Sequence, residues 1–341
     1  MIFWSDPHLG LNRTSHTTAA SRKLLQEALL AKAKQVTVTP SICLGDLFDT
    51  TDNEERVIVQ GAEIAKKVAA VLSGNHDLPN RDGKLSSLQL IGELVESTAV
   101  VLLDKDTNFV CLPLRGFNEL ILVPHKRTQA LFDETLNNLL GLRKSASSDK
   151  NVVCLHCNYN SPFATDEASL NLSRDQAQAL LSVFDYILIG HEHIPRSDFE
   201  GRVQLLGNIH PTSFADISDK FIWEVTTEGL SPIKVWDKAT HYLSLDWEAL
   251  LSLPTLADEL QFIEVIGTAP AARLPDIARA IQKLWGVLPN ALMIKNAVKS
   301  DGVAIVTETE VQRALDVPAR ITQSLQNTPL LPLWLSYLGQ L

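Results

Sequence analysis

Histidine, aspartate and asparagine residues stand directly after successive short apolar stretches in the first 195 residues. This placement constrains the fold more than any other feature of the chain. The stretches at 2–4, 41–44, 69–72, 152–155 and 186–189 are each followed by at least one such residue. Because the carboxyl ends of strands in an open α/β sheet face one crevice, we expect these polar side chains to converge.

Residues 1–195 repeat a pattern of short apolar strand, turn and helix. The stretches above are the predicted strands, and helices are predicted at 15–34, 53–67, 85–96, 128–142 and 173–184. Short β-like stretches between 98 and 124 predict a meander added to the sheet, and further strands are predicted at 203–206, 221–226 and 233–236. The alternation favours an α/β fold in which helices cover the faces of a sheet.

Seven side chains at the strand ends are candidate metal ligands. They are Asp6 and His8 in SDPHLG, Asp46 in LGDLFD, Asn75 in SGNHDLP, His156 in LHC, and His191 and His193 in IGHEH. Imidazole and carboxylate groups in this number exceed the needs of one ion and suit two, and they accept manganese, iron or zinc. Two ions about 3.5 to 4 Å apart hold the oxygens of a phosphate during in-line displacement. The pattern therefore predicts phosphoester hydrolysis.

The motifs D-x-H, G-D-x-x-D, G-N-H-D, a lone His and G-H-x-H occur in this order within residues 1–195. The set resembles the signature of the calcineurin-like metallophosphoesterases. The resemblance implies an α/β fold in the form of a four-layer β-sandwich flanked by helices. It also implies two divalent metal ions, with Mn2+ expected first and Mg2+, Fe2+ or Zn2+ as alternatives.

The same resemblance assigns a role to each motif residue. The first metal ion would be bound by Asp6, His8 and His193, the second by Asn75, His156 and His191, and Asp46 would bridge them. His76 would lie beside the scissile phosphate and protonate the leaving oxygen, with Asp77 orienting it.

Several residues lie outside these assignments. We expect His16, His125, His210 and His241 to be structural or merely exposed. Of these, His210 lies in GNIHPTSF, which follows the metal motifs at the place where relatives have a loop near the site. Asp49, the last residue of GDLFD, is expected to orient a loop rather than to bind metal.

Within the family, the segment LLGNIHPTSFADISDKFIWEV at 205–225 resembles the SbcD-type nuclease subunits of double-strand-break repair and their phage counterparts. GDLFDT also looks more like bacterial SbcD than like the archaeal and eukaryotic members, which have His where this chain has Asp49. This resemblance implies DNA as the substrate, an SbcC-like coiled-coil ATPase as the partner, and a homodimer.

The motifs end well before the chain does, so we expect three segments. A nuclease domain is predicted at 1–240 and a small α/β capping domain at 241–304, with a strand at 260–266, a helix at 274–285 and a strand at 291–295. A helical C-terminal tail is predicted at 305–341. Its apolar end, LLPLWLSYLGQL, would suit docking onto an ATPase or folding back on its own domain.

The net charge is the main observation against DNA as the substrate, and two other functions are possible. A net charge of −10 is unusual for a protein that binds DNA through lysine and arginine, so DNA binding would need a local basic patch or a partner. A stand-alone phosphodiesterase or phosphatase for nucleotides or phosphoproteins fits that charge better. A scaffold that has lost catalysis is disfavoured, because all five motifs are intact.

The compartment is expected to be the cytoplasm, or the host cytoplasm for a phage protein. No apolar run approaches the roughly 20 residues of a membrane-spanning helix, and MIFWSDPHLG lacks the features of a signal peptide. The four cysteines are too few and too scattered for a disulfide framework.

Overall fold

The computed structural model of the protein describes residues 1–37, 40–78, 84–94, 100–102, 109–112, 117–141, 150–162, 164, 169–252 and 256–301. In these residues the strands are, in chain order, β1 (Ile2–Trp4), β2 (Ser41–Cys43), β3 (Ala70–Leu72), β4 (Val100–Leu102), β5 (Val110–Cys111), β6 (Phe117–Leu122), β7 (Lys150–His156), β8 (Asn158–Tyr159), β9 (Asn171–Leu172), β10 (Tyr186–Gly190), β11 (Arg196–Asp198), β12 (Val203–Leu205), β13 (Lys220–Val225), β14 (Leu230–Trp236), β15 (Tyr242–Asp246), β16 (Phe262–Ile266), β17 (Thr268–Pro270), β18 (Met293–Asn296) and β19 (Lys299–Asp301). The helices are α1 (Ala19–Val36), α2 (Glu55–Ala65), α3 (Ser87–Leu94), α4 (Gln129–Leu140), α5 (Arg174–Leu180), α6 (Lys238–His241), α7 (Trp247–Leu251) and α8 (Leu274–Val287).

Two six-stranded sheets form the main body, in the orders β14-β13-β1-β2-β3-β4 and β11-β12-β10-β7-β6-β5. Strands β1, β2 and β3 are parallel neighbours in the first sheet, as β6, β7 and β10 are in the second. The predicted strands therefore lie in two sheets rather than one. The meander predicted at 98–124 is wrong, because β4 pairs in parallel with β3 whereas β5 and β6 belong to the second sheet.

Apolar side chains fill the spaces between four layers. Phe3 and Ile42 of the first sheet meet Leu120 and Val152 of the second in the central layer. The outer face of the first sheet, with Trp4, packs against α1, α2 and α3, and the outer face of the second packs against α4 and α5. This arrangement of helices, sheet, sheet and helices confirms the expected fold class.

The helix predicted at 15–34 begins four residues later than expected. Thr18 is the N-cap of α1, because its hydroxyl accepts a hydrogen bond from the Ser21 N–H while the Ser21 hydroxyl accepts one from the Thr18 N–H. His16, with φ of 62°, has a left-handed backbone and lies in the preceding loop. The loop between β1 and α1 therefore runs to residue 18, next to the first motif.

Residues 242–301 contain a third, parallel sheet in the order β15-β16-β18, with its own apolar core against α7 and α8. The predicted elements at 260–266, 274–285 and 291–295 correspond to β16, α8 and β18, whereas β15 was not predicted. Phe262 and Met293 of this unit pack on Leu25 and Trp236 of the main body. The predicted tail at 305–341 lies outside the described residues.

Among the helices of the described residues, none is both long enough and apolar enough to cross a lipid bilayer.

Candidate metal centre

The strand ends bring the predicted ligands together in two clusters. In one, ligand atoms of Asp6, His8 and His193 lie within 4.8 Å of one another, and in the other the same holds for Asp46, His156 and His191. Asn75 belongs to the second cluster, since its Oδ1 lies 2.9 Å from Nδ1 of His191 and 3.2 Å from Nε2 of His156. All seven predicted ligands therefore meet at one edge of the sandwich.

Both sheets contribute to each cluster. Asp6 and His8 follow β1 of the first sheet, whereas His193 follows β10 of the second. Asp46 and Asn75 follow β2 and β3 of the first sheet, whereas His156 ends β7 of the second. The parallel arrangement points these strand ends in the same direction, which explains why residues almost 190 positions apart become neighbours.

The first cluster has the composition of a cation site. Nε2 of His8 lies 2.9 Å from Nε2 of His193. Two imidazole lone pairs repel at this distance unless a proton or a metal ion lies between them. Asp6 adds a buried carboxylate to the same cluster, and two imidazoles with a carboxylate form a common set of ligands for divalent transition metals.

The second cluster also has the composition of a cation site. Nδ1 of His156 donates a hydrogen bond to the Leu44 carbonyl, 2.7 Å away, which leaves Nε2 facing Asn75 and Asp46. Burial lowers the pKa of His156, but the charge of Asp46 outweighs it and raises this pKa to about 9. A proton is therefore held where a divalent cation would bind, and metal ions compete with protons for such ligands.

Asp46 lies between the two clusters. Its Oδ2 is 3.5 Å from Nε2 of His156, and it also groups with His8 and His76. Burial alone would raise the pKa of Asp46, but the charge and hydrogen bond of His156 hold it well below its usual range. A carboxylate that stays ionised between two cation sites is the group expected to bridge two metal ions.

The backbone around the ligands adopts a conformation that non-glycine residues rarely take. Asp6, His8, Asp46 and His191 all have left-handed φ values, of 54°, 46°, 50° and 92°. Such residues cluster at functional sites, where the surrounding structure holds them in place. At Gly74 a Cβ would overlap Oδ1 and the backbone N of Asp46, so a side chain there is excluded by the ligand itself.

A carboxylate lies behind each imidazole of the first cluster. Nδ1 of His8 lies 3.4 Å from Oδ1 of Asp49, and Nδ1 of His193 lies 3.4 Å from Oδ2 of Asp216. A carboxylate behind a metal-binding histidine fixes its orientation and tautomer. Asp49 was expected to orient a loop, and it also contacts a predicted ligand. Asp216 was not predicted, because only the fold brings it to His193.

Asp216 is itself firmly held. Its carboxylate accepts hydrogen bonds from the side chain of Asn208, from the backbone and hydroxyl of Thr212, and from the backbone and hydroxyl of Ser213. Burial opposes its ionisation, but His193 and Lys220 keep the pKa of Asp216 well below its usual range. Buried Lys220 donates to the carbonyls of His193 and Asp216 and so fixes the two backbone segments relative to each other.

His76 lies beside two of the candidate ligands, whereas the carboxylate of Asp77 binds backbone groups rather than the His76 ring. His76 groups with His8 and Asp46, and its Nδ1 donates to the Asp49 carbonyl at 2.5 Å. The carboxylate of Asp77 instead accepts from the backbone N–H groups of residues 47, 48 and 74. The contact by which Asp77 was to orient His76 is therefore replaced by the Asp49 carbonyl, and Asp77 supports the loops that bear Asp46 and Asn75.

The four histidines outside the motifs occupy different environments. His210 is buried against Trp236 and Phe262, and His241 is partly exposed near the same Trp236. His16 lies against Phe214. His125 differs from the rest because its ring centre lies 5.7 Å from that of His156, beside the second cluster.

The fold and the two clusters define a metal-dependent phosphoesterase. The sequence profile described as calcineurin-like phosphoesterase matches residues 2–195, more than half of the chain, and the protein belongs to this family. The family binds two divalent metal ions. No curated protein matches the sequence.

Two of the solved structures that match the chain do so at low identity. The crystal structure of TT1561 of Thermus thermophilus is 12% identical, with a TM-score of 0.40, over 69% of this chain and 98% of that chain. A dimetal phosphatase from Danio rerio, LOC 393393, is 13% identical, with a TM-score of 0.36, over 69% of this chain and 97% of its own.

Proposed function

We propose that the protein is a manganese-dependent nuclease that hydrolyses phosphodiester bonds in DNA, similar to the SbcD-type subunits. Residues 242–301, which contain the third sheet, are called the third-sheet unit. The observation that carries this proposal is the contact between this unit and the loop between β1 and α1, which bears Asp6 and His8. The proposal goes beyond the family's phosphoester hydrolysis by naming the substrate. Its support comes from the exposure of the ligand residues at the rim of the site, from two arginines near them in the chain, and from that contact.

The rim of the site is accessible, whereas its floor is buried. Asp6, His8, Asp46 and His156 are buried, but the side chain of His193 is 30% exposed. Asn75, His76 and His191 are also partly exposed. An accessible row of ligand residues above a buried floor suits a phosphodiester within a long polymer, which cannot enter a closed cavity.

Two arginines lie close to the candidate ligands along the chain. Arg127 is exposed and lies two residues after His125. Arg13 is partly exposed in the loop between β1 and α1, which also bears Asp6 and His8. Local positive charge of this kind would offset the net charge of −10 where a polyanion binds.

The third-sheet unit contacts the same loop. The backbone N–H of Ile294 donates to the carbonyl of His16 at 3.0 Å, and Nζ of Lys295 lies 5.6 Å from the ring centre of Phe214. Phe214 is two residues before Asp216, the carboxylate behind His193. We propose that this unit, at 241–304, caps the site and helps to position DNA across it.

Different residues of the chain would bind the two metal ions and donate the proton. Asp6, His8 and His193 would hold one ion, Asn75, His156 and His191 the other, and Asp46 both. When bound, the ions would activate water and stabilise the charge of the phosphate. Because Nδ1 of His76 donates to the Asp49 carbonyl, Nε2 is the ring nitrogen that remains for the leaving oxygen. It would donate a proton there from the imidazolium form, in which both ring nitrogens carry a hydrogen.

Cleavage of linear double-stranded DNA with Mn2+ tests the proposal. We expect His76→Asn to abolish cleavage while the number of bound Mn2+ ions, measured by atomic emission, stays the same. His241→Asn is the matched control, because His241 lies away from the clusters, and it should cleave like the wild type. Loss of Mn2+ in the His76 variant would contradict the role of His76 as the proton donor.

A small-molecule phosphoesterase is the alternative, and the net charge favours it. The wild type should be assayed in parallel on DNA, on a nitrophenyl phosphodiester and on a phosphoserine peptide. If only the small ester or the peptide is hydrolysed, DNA is not the substrate. Arg127→Ala separates the readings further, since it should weaken DNA cleavage but leave hydrolysis of the small ester unchanged.

We also propose that the protein forms a homodimer and that residues 305–341 bind an SbcC-like coiled-coil ATPase. The support is the apolar sequence at the end of the chain, with Trp334 and Tyr337, since aromatic anchors dominate many interfaces. Co-purification of the ATPase with the full chain, and its loss on deletion of 305–341, tests the partner. The mass in solution tests the dimer.

A further inference from the structure

We propose that His125 is a positioning residue of the second cluster, which fixes His156 relative to Asn75 and so determines how tightly the second ion binds. The inference rests on the proposed two-metal function. His125 lies outside every motif, and its role follows from its place in the fold alone.

His125 makes one hydrogen bond to each side of the second cluster. Its Nδ1 lies 3.0 Å from the carbonyl oxygen of His156, and because a carbonyl only accepts, Nδ1 carries the proton. Its backbone N–H donates to the carbonyl of Ser73, also at 3.0 Å. Ser73 precedes Asn75 by two residues, so both bonds end on backbone that bears a ligand.

These two bonds join the two sheets. Ser73 directly follows β3 of the first sheet, whereas His156 is the last residue of β7 in the second. His125 follows β6, the neighbour of β7, and its side chain is only 5% exposed. The side chain of His125 therefore ties its loop to the end of β7, while its backbone ties the same loop to the end of β3, and the second ion would bind between these two strand ends.

The first cluster lacks such a link. Among the described residues, no hydrogen bond joins His125 to Asp6, His8 or His193. The rings of His8 and His193 instead have the carboxylates of Asp49 and Asp216 behind them, each at 3.4 Å. Loss of the His125 donor should consequently weaken the second ion and spare the first.

Two variants of similar size separate the donor from the volume it fills. Asparagine keeps an N–H donor near the position of Nδ1, whereas leucine has none, and both retain the backbone bond to Ser73. In His125→Leu we expect the dissociation constant of the second Mn2+ ion to rise roughly 10- to 100-fold, with the first unchanged. His125→Asn should restore most of that affinity.

Titration calorimetry gives both dissociation constants, and the spin coupling between two Mn2+ ions in electron paramagnetic resonance reports whether both are bound. Cleavage by His125→Leu should recover at high Mn2+ concentration, because the substitution leaves His76 in place. If His125→Leu does not fold, His125→Phe retains the ring volume and makes the same test.

Three outcomes would overturn the inference. They are unchanged affinity for both ions, equal weakening of both ions, and failure of asparagine to do better than leucine. The proposed function fails in a different way, since a wild type that binds two Mn2+ ions and does not cleave DNA leaves the role of His125 intact.

Discussion

Nε2 of His8 and Nε2 of His193 lie 2.9 Å apart, although 185 residues separate them in the chain. One follows the first sheet and the other follows the second, so the pair exists only when the two sheets are correctly aligned. Each ring has a carboxylate behind it, Asp49 for His8 and Asp216 for His193. The two imidazoles and the two carboxylates behind them thus come from four separate loops.

Removing the carboxylate behind His193 should weaken the first ion. We expect Asp216→Asn to raise the dissociation constant of one Mn2+ ion roughly 10- to 100-fold, because the ring of His193 loses the group that orients it. Calorimetric titration measures this. Asp219→Asn is the matched control, since Asp219 lies three residues away and pairs with Lys234 at the surface. Equal effects of the two substitutions would contradict the role of Asp216.

A methyl group at residue 74 should destroy the bridging position. Gly74→Ala would place a Cβ against Oδ1 of Asp46, so we expect it to bind fewer than two Mn2+ ions and to lose hydrolysis. Gly286→Ala is the control, because a Cβ there meets nothing within 4 Å and Gly286 lies inside α8. That substitution should stabilise the protein by about 0.5 to 1 kcal/mol. Metal analysis and thermal unfolding distinguish the two.

His210 should make stability depend on pH. Burial lowers the pKa of His210 from its ordinary value of 6.5 to about 4, with Lys32 lowering it further and the hydrogen bond to Pro211 and the charge of Asp216 opposing. The folded state therefore keeps His210 neutral, whereas the unfolded chain is protonated below its ordinary pKa. The stability that this difference in pKa gives to the folded state is fully present above pH 6.5 and is lost as the pH falls towards 4.

At about 1.4 kcal/mol per pH unit, this loss amounts to about 3 kcal/mol in the free energy of unfolding. His210→Asn removes the titrating group and keeps a donor for the Pro211 carbonyl. Urea unfolding gives the free energy of unfolding of the wild type and of His210→Asn at each pH. Plotted against pH, the two free energies should converge as the pH falls. Parallel curves would show that His210 does not titrate differently in the two states.

Metal removal should lower the unfolding temperature. Each ion that binds the folded state at a concentration 100 times its dissociation constant stabilises the protein by about 2.7 kcal/mol. We expect a chelator to lower the midpoint and added Mn2+ to restore it, in two steps as the sites fill. His156→Ala should remove one of these steps and retain the other. No response to chelator in the wild type would argue against both cation sites.

The convergence of the seven candidate ligands could be predicted from sequence because each stands where a strand ends, and a strand end is visible as the limit of an apolar stretch. Which sheet each strand joins was not visible. Strands such as β3 and β7 are buried on both faces, so their residues look alike whether they lie in one sheet or in two. The sequence between 98 and 124 likewise did not show that β4 and β5 belong to different sheets.

Contacts that depend on distant loops were also missed. Asp216 lies 23 residues after His193 and reaches it only because the antiparallel pair β11 and β12 returns the chain to the site. The position of Asp77 next to His76 in the sequence suggested a direct contact, yet its carboxylate turns towards the backbone of residues 47 and 48. Adjacency in sequence says little about the direction of a side chain in a tight turn.

The origin of the ligands from two sheets has a consequence for residues that touch neither metal nor substrate. Ala70 is fully buried in the apolar layer between the sheets. A larger side chain there would push the layers apart and change the gap that the ions must span. Catalysis in this sandwich should therefore be sensitive to the thickness of its interior.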